Sequence, residues 1–170
     1  MKQTFQMFAA YNKWTNGVVY AAARDLTPEE VAADKGAFFG SLMGTLNHLL
    51  AADRIWLRRM TGTGEAPAAL DTILFPTFEP LAAARTREDQ RIVDYIDGLD
   101  EQAIAGTFSY TPLTSPLPVT QKLGSALSHL FNHQTHHRGQ CHMILTSLGK
   151  PSLALDLIYF QRTEDGRRWS

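Results

Sequence analysis

Residues 120–148 run between Pro118 and Pro151 with no internal proline, and their apolar residues fall on one α-helical face. Leu123, Leu127, Leu130, Cys141, Ile144, Leu145 and Leu148 carry that stripe. A long helix with one apolar stripe must bury it against other elements, so the chain is expected to assemble around the Thr120–Leu148 helix. Gly149 follows as the expected left-handed C-terminal residue, with Pro151 just beyond.

Three further segments offer partners. From Thr4 to Arg24, Phe5, Phe8, Ala9, Tyr11, Val18, Val19 and Ala22 recur at helical spacing. From Ser41 to Met60 the same period is set by Leu42, Leu46, Leu49, Leu50, Ile55, Trp56, Leu57 and Met60, with Gly62 and Gly64 ending it. Thr86 is read as the start of a third helix, with Asp89 as the acidic member of a capping box and Gly106 at its end. Ile92, Tyr95, Ile96 and Leu99 form its stripe.

The connections have their own signals. Thr27, Pro28 and Glu30 are the N-cap, first helical residue and capping-box acid of a short turn. Residues 62–85 hold three prolines and no sustained period, so they are expected to form a long connection. Residues 107–119 alternate residue types at period two and suggest a small hairpin. Leu153–Phe160 is expected to pack across the bundle, and the polar residues 162–170 to be mobile. Residues 1–170 read as one helical domain, too short on either side of the long connection for two cores.

Composition removes several functions. Hydrophobic residues make up 44% and charged residues 19%, a globular balance. The net charge of −1 and the scattered Lys and Arg argue against direct nucleic-acid binding. The single cysteine, Cys141, excludes an intramolecular disulfide, and no apolar run approaches a membrane span or signal h-region, so a cytoplasmic protein is expected. There is no Ser-His-Asp order, phosphate-cradling glycine loop or CxxC motif.

What remains is a concentration of histidine. His129, His133, His136 and His137 fall within three turns of the last long helix. With His133 at zero and ~100° per residue, the apolar stripe spans roughly 20–120°, His137 lies near 40°, and His129, His136 and His142 point away. Only His133 and His137 border the core, one turn apart and able to face one ion. The alternative is a pair of core histidines satisfied by hydrogen bonds, costly for two adjacent inward imidazoles. A divalent ion needs further ligands, and His48 is the one histidine outside this helix. It sits mid-helix beside Gly44, Thr45, Ala51 and Ala52, small neighbours expected to leave room for an ion and substrate. Three neutral imidazoles suit zinc, nickel, copper or iron.

The segments His48-Leu49-Leu50-Ala51-Ala52-Asp53-Arg54-Ile55-Trp56 and His129-Leu130-Phe131-Asn132-His133-Gln134-Thr135-His136-His137-Arg138-Gly139-Gln140 resemble the motifs of the DinB family of YfiT-like metalloenzymes, in the family's order and separation. The resemblance implies an all-α, up-down-down-up four-helix bundle with a long crossover. It also implies a divalent transition metal, zinc or nickel foremost, on His48, His133 and His137, and a homodimer. By the same analogy the partner is a small molecule, such as a low-molecular-weight thiol that the metal activates for transfer to an electrophile.

Two functional classes stay open on the residues: a metal-dependent thiol transferase or hydrolase, and a non-catalytic metal-binding stress-response protein. An open coordination position separates them. Asp53 is read as an orienting group for the site or a salt-bridge partner of Arg54 or Arg138. Arg138 and Gln140 are read as helix braces ahead of substrate ligands, His129 and His136 as rim or surface residues, and Cys141 as a small core hydrophobe.

Overall fold

A computed structural model describes residues 1–113 and 115–170. The elements are α1 (Lys2–Arg24), α2 (Pro28–Ala32), α3 (Leu42–Thr61), α4 (Phe78–Gly98), α5 (Glu101–Ala105), β1 (Thr107–Tyr110), β2 (Val119–Lys122), α6 (Leu123–Ser147) and α7 (Leu157–Phe160), with a 3-10 turn at Arg167–Trp169. The four long helices α1, α3, α4 and α6 form the bundle.

Cross-helix pairs fix its topology. Asn16 bonds Asp89 and Gln6 bonds Asp97, so α1 and α4 run antiparallel. His48 meets His137 while Trp56 meets His129, so α3 and α6 are antiparallel as well. Phe5 packs on Phe131 and Asn12 accepts from Arg138, which makes α1 and α6 parallel. The order is therefore up-down-down-up, with residues 62–77 crossing over between the parallel helices α3 and α4.

Local chemistry sets the boundaries. Thr27 and Glu30 form the anticipated reciprocal capping box of α2. Ser41 caps α3 by accepting from Gly44, and Gly62 closes it at φ 74°, a left-handed conformation that favours glycine. β1 and β2 pair antiparallel from Thr107–Lys122 to Tyr110–Val119; a hairpin was expected within residues 107–119, but its second strand extends through Lys122, so α6 begins at Leu123 and not at Thr120.

Three further expectations are corrected. α4 begins at Phe78 instead of Thr86, because Pro80 occupies its first turn, where the missing N–H costs no helical bond. Asp89 accordingly lies buried in mid-helix and caps nothing; the helix ends at Gly98, and the short α5 has its own cap from Asp100. The segment after α7 is folded back, with Gln161 Nε2 donating to the Trp169 carbonyl oxygen, so residues 162–170 carry turn structure.

Along the bundle the interior has three layers. One end is apolar, built from Val19, Leu42, Leu46, Leu50, Leu81, Ile144 and Leu145 among others. The other end is equally apolar, with Phe5, Leu57, Ile92, Ile96, Leu127 and Phe131. Each such side chain contributes roughly 1.5–3 kcal/mol by leaving water. Between them every long helix turns polar residues inward: Asn12 and Asn16 from α1, Asp53 from α3, Arg85 and Asp89 from α4, Gln134 and Arg138 from α6. This polar belt sits beside the histidines.

Candidate metal centre

His48 belongs to α3, and His133 and His137 to successive turns of α6. The antiparallel packing of the two helices brings the three rings together. His48 Nε2 lies 3.1 Å from His133 Nε2 and 3.1 Å from His137 Nε2, and one ligand nitrogen from each residue falls within 4.8 Å of the others. Imidazole nitrogens on one tetrahedral ion, each ~2.0–2.1 Å from it, would be about 3.3 Å apart. The spacing fits a shared divalent ion.

Hydrogen bonding on the far side of two rings decides what those nitrogens present. His48 Nδ1 is 2.8 Å from the Leu70 carbonyl oxygen, which can only accept, so the ring proton sits on Nδ1. His137 Nδ1 is 2.7 Å from Gln140 Oε1 and is protonated for the same reason. Both Nε2 atoms therefore aim lone pairs at each other across 3.1 Å. A single proton on His133 Nε2 could satisfy one of them, whereas a cation satisfies all three. His133 Nδ1 has no hydrogen-bond partner among the described residues.

Electrostatics keep the rings neutral. Burial is the leading cause of a lowered pKa at His48, His133 and His137. For His133 the neighbouring His137 and His48 add to it and push the value down to about 3. Neutral imidazole is the form that binds metal.

The surroundings differ from expectation in one respect. The space beside His48 is occupied by Phe39, whose ring stacks on the imidazole at a centroid distance of 3.8 Å and 19°. Gly44 makes this possible, because a Cβ there would lie 2.2 Å from the Phe39 carbonyl oxygen. On the other side His133 is half-buried and His129 and His136 are exposed. His129 lies 5.7 Å from His133 and His136 lies 4.7 Å from His137 between ring centroids, so both form the rim.

The remaining singled-out residues are structural. Asp53 pairs with neither Arg54 nor Arg138; its partner is Arg85 at 2.7 Å, and Arg85 also reaches Asp89 at 3.0 Å. Arg54 faces Glu88 at 3.7 Å. Burial raises the pKa of Asp53, and that of Asp89 up to about 6, with Arg85 opposing both. Arg138 braces α6 against α1 through Asn12 and stacks over Tyr11 at 5.5 Å. Gln140 orients His137. Cys141 is fully buried, its thiol pushed up to about 12 by desolvation, and acts as a core hydrophobe. Phe39 and Leu70 were invisible to periodicity because both lie in connections; Gly44, a lone small residue one turn before His48, was the available signal.

The DinB family matches residues 1–168. This chain belongs to the DinB family. It is 22% identical over 165 residues to Protein DinB of Bacillus subtilis (strain 168), covering 91% of this chain and 93% of that protein. The crystal structure of a DinB-like protein from Bacillus cereus ATCC 10987 aligns with a TM-score of 0.65 at 16% identity, over 82% of this chain and 89% of that one. That likeness establishes the shared DinB-like helical fold. The three-histidine cluster of this DinB chain could hold a metal ion.

Proposed function

We propose that residues 1–170 act as one metal-dependent unit that holds a divalent transition metal on His48, His133 and His137. In this reading the protein transfers a low-molecular-weight thiol, or water, to a small electrophile. The observation that carries it is the convergence of Nε2 lone pairs whose ring protons are committed to Leu70 and Gln140. An all-imidazole donor set favours zinc or nickel and also admits copper or iron.

A divalent ion bound there supplies Lewis acidity that lowers the pKa of a thiol or water at a remaining coordination position. The chain's own part is positioning and access. Leu70 and Gln140 hold two rings in the binding tautomer, Phe39 covers the His48 side, and the half-buried His133 edge admits the substrate. In thiol transfer the sulfur bonds to the electrophilic carbon, the leaving group departs with its electron pair, and the thiol proton passes to solvent at the open rim.

Metal analysis of tag-free protein is expected to give one divalent ion per chain. His133→Ala is expected to lose stoichiometric binding while keeping the helical far-UV signal; full occupancy in that variant would refute the ligand set. A panel of thiols and a chromogenic electrophile, run with each metal, tests turnover. Absence of metal-dependent turnover across the panel would leave a binding protein.

A further inference from the structure

Arg59 is an arginine without a carboxylate. Among the described residues no acidic group lies within ion-pair distance of it and none of its N–H groups finds an acceptor, as is also true of Arg87, Arg162, Arg167 and Arg168; Arg59 alone among the described residues lies over two aromatic rings. Its guanidinium is held by aromatic faces, 4.8 Å from the Trp56 ring centroid and 4.6 Å from that of Tyr110. Those two rings meet edge-on at 5.5 Å. A cation pinned between rings keeps its in-plane donors available for a planar oxyanion.

The shelf leads to the histidines. Trp56 lies 4.9 Å from His129, and His129 lies 5.7 Å from His133, the half-buried member of the triad. Three neutral imidazoles leave the charge of a divalent ion uncompensated, and Arg59 adds a second unneutralised cation on the same wall. The complementary ligand carries two anionic functions separated by an apolar stretch.

We propose that Arg59 on the Trp56–Tyr110 shelf is an anion subsite of the histidine site, and that the substrate bears a carboxylate remote from its reacting group. This rests on the metal-dependent reading. The carboxylate accepts a bidentate pair of hydrogen bonds from Arg59, and the body of the molecule lies over Trp56 and His129 toward His133. Helical rise separates His48 from Arg59 by about 16 Å along α3, so the ligand is tripeptide-sized, larger than a simple mercapto acid.

Two measurements test it. In the first, metal-free protein is treated with phenylglyoxal with and without S-methylglutathione, and modification of Arg59 is read by peptide mass spectrometry. Protection of Arg59, lost with the analogue whose carboxylates are amidated, is expected; equal modification with and without the ligand would overturn the subsite. In the second, cobalt-loaded protein is titrated with glutathione and with its fully amidated analogue, following thiolate-to-cobalt absorption. The free acid is expected to bind about tenfold or more tightly in the wild type. In Arg59→Ala the two are expected to bind alike, with the affinity for the amidated thiol and the cobalt stoichiometry unchanged. Arg59→Lys is expected to retain part of the preference, and equal affinities in the wild type would again overturn the subsite. Protection in the first measurement with no thiolate band in the second supports the subsite and removes the thiol reading alone.

Discussion

At the scale of single residues, the site depends on where protons sit. Gln140 Oε1 fixes the tautomer of His137 from 2.7 Å, so replacing it frees the ring to place its proton on the ligand nitrogen. Gln140→Leu is expected to weaken metal affinity by about 10–100-fold while leaving the helical signal intact. Competition against a chromophoric chelator measures this, and an unchanged affinity would show that Gln140 only packs. Which histidines face inward was legible in the sequence because the apolar stripe of α6 gives each position an angle: His137 is buried and His133 half-buried, while His129 and His136 are exposed. The orienting groups were not. Leu70 acts through its backbone carbonyl, which carries no side-chain signature, and Phe39 arrives from a connection whose path depends on packing.

At the scale of elements, α4 shows what periodicity misses. Arg85, Glu88 and Asp89 face inward in its first half, so the stretch reads as polar although it is a buried helical face. Pro80 adds a false break, harmless in a first turn. α1 and α3 bury polar residues too, Asn12 and Asn16 in one and Asn47 and Asp53 in the other, but their apolar residues recur along most of their length, so both were recoverable almost to their ends. The polar belt that obscured α4 is also where the bundle is most sensitive. Asp53 is fully buried against Arg85, and without it the buried guanidinium keeps one carboxylate, Asp89, in place of two, leaving part of its charge uncompensated in the core. Asp53→Ala is expected to destabilise the protein by about 3–5 kcal/mol in chemical denaturation. A loss under about 1 kcal/mol would mean that Asp89, 3.0 Å from Arg85, suffices alone.

At the scale of the whole molecule, the crossover at 62–77 makes α3 and α4 parallel and sets α3 antiparallel to α6, which joins histidines from distant parts of the chain. The three-histidine site therefore exists only in the folded state, and an ion bound there stabilises the fold by mass action, by about 2.7 kcal/mol at one hundred times Kd. The pH dependence follows from the depressed imidazole pKa values. His133 titrates near 3 when folded and near 6.5 when unfolded, so below about pH 6.5 the unfolded chain takes up protons that the folded chain refuses. The metal-free protein is thus expected to lose thermal stability as pH falls from about 6.5 to 5.5, less steeply than the histidines alone would dictate because Asp89, raised to about 6, takes up a proton in the folded state over the same window, and His133→Ala is expected to flatten the decline. The increment from saturating metal is expected to persist over the same window, since the folded imidazoles remain neutral and protons compete little for their lone pairs. Differential scanning calorimetry with and without zinc at each pH separates the two effects. An increment that collapses between pH 7 and 5.5 would show that the folded rings titrate like ordinary histidine, and would remove the argument that their shared burial keeps them ready for a metal.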